Sequence, residues 1–167
     1  MNDNAVVVAL GSNLKGGFSS VQDLLDAALA DLPAAGLVVA RRSSWWRSAS
    51  WPDRAKPDYL NGVILVETML DPHATLRSLR EIEAQYGRLR DQPNAPRTLD
   101  LDLIAHGRTV LDDEVLTLPH PRAAGRLFVM GPLAEIAPDW LHPTLGLTAQ
   151  ALAASASVGR DAHPCPT

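Results

Sequence analysis

Between Leu99 and Leu103 the chain alternates strictly, Leu-Asp-Leu-Asp-Leu. A period of two is that of a β-strand. Successive strand side chains point to opposite faces, so Asp100 and Asp102 project together while Leu99, Leu101 and Leu103 share the other side. Adjacent carboxylates repel and would ordinarily weaken a strand. A divalent cation relieves that repulsion, and magnesium in particular is held by one or two carboxylates together with substrate phosphates. Arg97 stands just upstream, and its planar fork suits phosphate oxygens. An isolated D-x-D is more often a solvated strand face, so its neighbours in the chain have to decide the matter.

At 167 residues, 46% of them hydrophobic and 20% charged, the composition is that of one soluble globular domain with a core of its own. We expect a single domain over 1–156 and a flexible tail over 157–167, where the sequence turns to Ala, Ser, Gly and Pro. The single cysteine, Cys165, rules out an intramolecular disulfide framework and fits a reducing, cytoplasmic setting. The N-terminus has no basic region followed by a long apolar run, and no stretch approaches a membrane span. A net charge of −4 argues against a general nucleic-acid binder. Arg77, Arg80, Arg88, Arg90 and Arg97 nevertheless gather before the aspartate strand, a local positive field suited to a metal–polyphosphate ligand.

In chain order, Ala5–Leu10 is a continuous apolar run and reads as a buried strand. The loop Gly11–Gly17 has glycines at Walker spacing, but Gly17 and Phe18 stand where a phosphate-gripping Lys and Ser or Thr would have to be. Phe18, Val21, Leu24, Leu25, Ala28, Leu29 and Leu32 fall at helical spacing, with Ser20 and Asp23 placed as a capping box and Pro33 and Gly36 as the stop. Gly36–Ser44 and Tyr59–Glu67 read as strands, separated by the aromatic segment Trp45–Trp51 and a Pro-rich loop. On the second of these, Asn61 suits either a polar heterocycle or a neighbouring loop. Asp71 and Pro72 open a second helix with the stripe Leu76, Leu79, Ile82 and Tyr86, bordered by Glu83 and ended by Gly87; Arg77, Arg80 and Glu81 read as solvated. A short strand over Thr109–Leu111 is expected to close a hairpin on the aspartate strand, with His106 and Gly107 in its turn. Thr117–Arg122 is an extended loop stiffened by two prolines, presenting His120. The order β-α-β-β-α-β, followed by a hairpin and C-terminal helices, is that of an α+β ferredoxin-like split βαβ fold, an antiparallel sheet with packed helices.

These residues carry a resemblance. Gly11-Ser-Asn13, Pro57-Asp-Tyr-Leu-Asn61, Ile82-Glu83, Gly87-Arg88, Arg90, Pro96-Arg-Thr-Leu-Asp-Leu-Asp102, Pro119-His120, Arg126 and Phe128 together resemble the 6-hydroxymethyl-7,8-dihydropterin pyrophosphokinases of the folate pathway. The resemblance implies transfer of pyrophosphate from ATP to a pterin hydroxymethyl oxygen with release of AMP. It implies two Mg2+ ions held by Asp100 and Asp102, with Arg88 and Arg97 meeting the charge that develops on the phosphates. Glu83, Arg90, Leu103, Thr117, His120 and Arg126 are then the ATP-binding set. Ser48, Ala49, Tyr59, Asn61 and Phe128 form the pterin pocket, where aromatic faces and a carboxamide suit a flat polar heterocycle. Two departures stand out: Asp91–Pro96 is short and lacks the aromatic that many members carry there, and Ser48-Ala49 replaces a Thr-Pro pair. Trp45, Trp46 and Trp51 are candidates to compensate. ATP and the dihydropterin are the expected partners, with no nucleic acid and no membrane, and the chain is expected to be a monomer.

Two other readings share some of these features. A nucleotidyltransferase also pairs Gly-Ser with a strand D-x-D, but its Gly-Ser lies shortly before the aspartates, whereas Ser12 and Asp100 are far apart. A ferredoxin-like binding module would take a cation on its acidic strand without turning over ATP.

Overall fold

The computed structural model describes residues 4–50, 55–86 and 98–166. Its elements are β1 (Val6–Ser12), α1 (Val21–Asp31), β2 (Val38–Arg42), β3 (Trp46–Ser48), β4 (Tyr59–Glu67) and α2 (Pro72–Gln85). Then follow β5 (Asp100–His106), β6 (Leu111–Asp112), β7 (Thr117–Leu118), α3 (Leu127–Ile136), α4 (Ala149–Ser155) and β8 (His163–Pro164). Both early helices begin where side-chain chemistry directs. Ser20 Oγ accepts the Asp23 amide at 3.0 Å and Asp71 Oδ1 accepts the Ala74 amide at 2.8 Å, each satisfying a donor that the first helical turn leaves open. The expected helix stop at Gly87 lies outside the described residues.

β1 is buried along its whole length because it is central, antiparallel to β4 on one side and to β5 on the other. The sheet runs β5-β1-β4-β3-β8, with β2 also paired to β4, so β2 and β3 together form one broken strand beside β4. That is the split βαβ order, extended at the edge by β8. Alternation divides the core in two. Val6, Val8, Leu10, Ile64, Val66, Leu101 and Leu103 pack under α1 and α2. Val7, Ala9, Val63 and Leu65 face α3 and α4, where Met130, Leu133, Trp140 and Leu152 cover them. No helix among the described residues is long and apolar enough to cross a membrane.

α3 is fastened to the sheet edge by an ionic clasp. Glu135 accepts the Ser44 amide and hydroxyl, each at 2.6 Å, and the Trp46 indole N–H at 3.1 Å. Partial burial opposes ionisation of Glu135, but these donors more than offset it and hold its carboxyl below the ordinary value of 4.5. A depressed folded value means that the unfolded chain binds the proton first, so the clasp's charge stabilises above pH 4.5 and is lost as pH falls below it. Glu135→Gln is therefore expected to lower stability by about 1 kcal/mol at neutral pH, after discounting for solvent exposure, with the difference shrinking under acid. Thermal melts of both proteins between neutral and acidic pH check this.

Two sequence expectations are corrected here. The short strand after His106 does not pair with the aspartate strand: β6 pairs with β7, as Leu111 with Leu118 and Asp112 with Thr117. The reason lies in Asp113, whose Oδ1 accepts the Val115 and Leu116 amides at 2.8 Å each and folds the chain back on itself. Nor is the C-terminal segment frayed. The amides of Ser157 and Val158 donate to Gly125, β8 pairs with β3, and the Cys165 amide donates to the Trp45 carbonyl at 2.8 Å. Backbone pairing needs no apolar side chains, so composition gave no sign of it.

Candidate active site

On the α3 face, β1 runs from Val7 to Ala9 to Gly11, and its side chains shrink to nothing toward the strand's end. Gly11 pairs with Asp100 on one side and Asn61 on the other, and Ala9 pairs with Asp102. A hollow therefore opens between a carboxylate pair and a carboxamide. A side chain on Gly11 would spoil it, since a Cβ there would lie 2.9 Å from Asn61 Oδ1. Asn61 and Ser48 are both buried, and Asn61 Nδ2 donates to Ser48 Oγ at 3.0 Å. The Asn61 amide nitrogen thereby holds β3.

Above the hollow lies a cavity of about 720 Å³, lined by Ser48, Ala49, Ser50, Tyr59, Asp100, Asp102, Arg126 and Phe128 and by the segment Ser157–Asp161. The Arg126 guanidinium carbon lies 5.6 Å from the centre of the Phe128 ring, within cation–π range. A second crevice of about 260 Å³ is lined by Arg80, Glu83, Asp102, Leu103, Thr117 and His120, among others. Asp102 is on the wall of both. Asp102 thus stands at the boundary between a slot with an aromatic wall and a polar crevice, with Asp100 on the slot side.

The crevice residues are fixed by the backbone. Glu83 is buried on α2, and its Oε2 accepts the Leu101 amide at 2.8 Å, which ties the helix to the aspartate strand. Thr117 Oγ1 donates to Asp112 Oδ1 at 3.1 Å. The His120 amide donates to the Ile104 carbonyl at 2.8 Å, and its Nδ1 accepts the Arg122 amide at 3.2 Å. Burial pushes the His120 imidazole below its usual pKa; Asp102 opposes this, while Arg126 and Arg122 add to it. A neutral ring that accepts at Nδ1 carries its proton on Nε2, which is a donor for an anionic ligand.

The Gly11-Ser-Asn13 motif acts as a clamp. Ser12 Oγ donates to the Thr98 carbonyl, just before β5, and Asn13 Nδ2 donates to Ser50 Oγ at 3.1 Å and to the Pro57 carbonyl at 3.2 Å. It fixes the strand that bears the aspartates and the loop that bears Ser50.

Of the residues expected from sequence, Ser48, Ala49, Tyr59 and Phe128 line the slot with Asp100 and Asp102, and Asn61 lies bonded behind Ser48. Glu83, Leu103, Thr117 and His120 meet at the crevice, whereas Arg126, expected with them, lines the slot beside the carboxylates. Arg88, Arg90 and Arg97, the loop Asp91–Pro96 and Trp51 lie outside the described residues. Trp45 is buried among the core residues beneath α1 and α2, and Trp46 packs against Gly131 with its N–H on Glu135, so both indoles serve the fold. Sequence reasoning missed Ser50 and Ser157–Asp161; Arg80, counted in the local positive field and read as solvated, is exposed and lines the crevice. Arg80 had a signal, since it sits three residues before Glu83 and hence on the same helix face. The C-terminal segment had none.

Residues 7–138 match the family model described as 7,8-dihydro-6-hydroxymethylpterin-pyrophosphokinase. A 2-amino-4-hydroxy-6-hydroxymethyldihydropteridine pyrophosphokinase from Synechocystis is 44% identical over 146 residues, covering 87% of this chain and 72% of the relative. The protein of the same name from Pseudomonas aeruginosa is 41% identical over 138 residues, covering 83% of each. The folic acid synthesis protein fol1 of Pneumocystis carinii is 34% identical, but this chain spans only 20% of its length. Among solved structures, wild-type Plasmodium falciparum HPPK-DHPS matches 90% of this chain with a TM-score of 0.69 at 12% identity. This chain spans 44% of that one, and the likeness bears on the fold alone.

Proposed function

The chain belongs to the 7,8-dihydro-6-hydroxymethylpterin-pyrophosphokinase family, a pyrophosphokinase of folate biosynthesis with ATP as co-substrate, and we propose how its two cavities divide that work. The slot takes the dihydropterin and the crevice takes ATP. The observation that carries this is Asp102, which lines both and so marks where the two substrates meet.

In the slot, Phe128 and Tyr59 offer aromatic faces to the flat ring, while Ser48, held from behind by Asn61, supplies a polar group at its edge. In the crevice, Glu83, Leu103 and Thr117 hold the nucleoside end and the Nε2–H of His120 faces the phosphates, while Arg126 meets them from the slot side of the carboxylates. The acidic pair fits Mg2+: two neighbouring carboxylates, with no cluster of three or more His, Cys, Asp or Glu among the described residues, leave the remaining coordination to phosphate and water oxygens. Bound there, magnesium supplies neutralisation of the triphosphate. The side chains of slot and crevice hold the pterin hydroxymethyl oxygen against the β-phosphorus of ATP, so that little translational freedom remains to be lost on reaction. A bond forms from that oxygen to the β-phosphorus, the bond to the α,β-bridging oxygen breaks, AMP leaves, and the hydroxyl proton passes to solvent. Arg88 and Arg97 are assigned, on the resemblance alone, to the charge that develops.

Chromatography of products, with and without 6-hydroxymethyl-7,8-dihydropterin, tests the reading. AMP and a pterin diphosphate in equal amounts, formed only when the pterin is present, are expected. ADP, or pyrophosphate with a nucleotidylated product, would overturn it.

A further inference from the structure

Ser157–Asp161 forms a wall of the slot, and nothing in the preceding mechanism uses it. The segment lies beyond the residues matched by the family model, which end at 138. It crosses the slot from one side to the other. At its start, the Val158 amide donates to Gly125 and the Leu127 amide to Val158, each at 2.9 Å, binding it to the N-terminus of α3. Gly159 then takes a left-handed conformation at φ +70° against the Phe128 ring, where a Cβ would lie 2.5 Å from Cδ2. At its far end, Asp161 Oδ2 accepts the Ala49 amide at 2.7 Å, and β8 continues along β3. One short segment thus touches both walls of the slot, the Phe128 ring through Gly159 and the Ser48-Ala49 turn through the Asp161 carboxylate.

We propose that this segment sets the width of the pterin slot, with Asp161 as a positioning residue that holds Ala49, and through it Ser48, in register with Phe128. Ala49 lies just past the end of β3, where no strand partner fixes it, so its amide needs another acceptor. The carboxylate supplies one with charge assistance. Released, the turn would have to be ordered again each time a ligand binds, a cost that falls on pterin affinity and not on the nucleotide or the chemical step. The inference rests on reading this cavity as the pterin slot.

Asp161→Ala and Asp161→Asn separate positioning from general support, because the carboxamide of Asn keeps an acceptor oxygen and the exposed side chain can be removed without opening the core. Asp161→Ala is expected to raise the KM for the dihydropterin about tenfold, as loss of one charge-assisted hydrogen bond would. The KM for ATP should stay within about twofold, the melting temperature should be little changed, and Asp161→Asn should lie nearer the wild type. An unchanged pterin KM in Asp161→Ala would overturn the proposal. So would both KM values rising together with a fall in melting temperature, or an Asp161→Asn shift as large as that of Asp161→Ala. If the wild-type protein forms no AMP, the functional reading has failed separately. Calorimetric titration of the pterin into both proteins still decides the role of the segment, equal Kd values counting against it.

Discussion

Asp102→Ala is expected to lower turnover about a thousandfold, roughly 4 kcal/mol of lost charge stabilisation, while leaving the fold intact. Asp102 is exposed on β5, and its removal opens no cavity. It also takes away one of two adjacent like charges, so the melting temperature should hold or rise slightly. That combination is what distinguishes a functional acid from a structural one, because a residue needed for packing would lose activity and stability together. The loss should appear in AMP formation at saturating ATP and pterin, and excess Mg2+ should not restore it. Activity near that of the wild type would mean that the metal–triphosphate sits elsewhere.

Asn61→Ala is expected to cost about a hundredfold in kcat/KM for the dihydropterin, with the KM for ATP within about twofold. The residue is buried, its amide nitrogen holds Ser48, and its carbonyl oxygen leans over Gly11. Truncation removes the buried group that holds Ser48 from behind and leaves Ser48 Oγ without that donor, and an unpaired buried polar group is costly. Gly11→Ala should shift the same parameter in the same direction, since its Cβ would press on Asn61 Oδ1. Steady-state kinetics with each substrate varied in turn check both variants. A change confined to ATP would contradict the division of the two cavities.

The parts of the fold that could be read from the sequence are those written locally. β1 is an unbroken apolar run, the helix starts at Ser20 and Asp71 carry their own caps, and the Leu-Asp alternation of β5 states which face is dry. The parts that were hidden depend on distant backbone. β3 is only three residues long and is a strand because β4 lies beside it. The β6–β7 pairing hangs on an Asp113 turn that competes with an equally plausible hairpin at Gly107. The last residues look too polar and too small to pack, yet they are held by carbonyls of Gly125 and Trp45 and by the Ala49 amide.

The site divides in the same way. Asp100 and Asp102 announce themselves, because two carboxylates on one strand face need an explanation. Tyr59, Phe128 and His120 were reached through the resemblance, and the structure brings them around the carboxylates. Arg126 sits on the slot side of that boundary, which the spacing of residues along the chain does not encode. The role of Gly11 shows only in three dimensions, where the missing side chain makes room for Asn61.

The boundary position of Asp102 can be observed directly with Mn2+ in place of Mg2+, using its paramagnetism to broaden the proton signals of nearby ligands. With both the dihydropterin and a non-hydrolysable ATP analogue bound, the wild-type protein should broaden the signals of both, and Asp102→Ala should broaden neither at the same Mn2+ concentration. Broadening that persists undiminished in Asp102→Ala would contradict the placement of metal and substrates around this carboxylate.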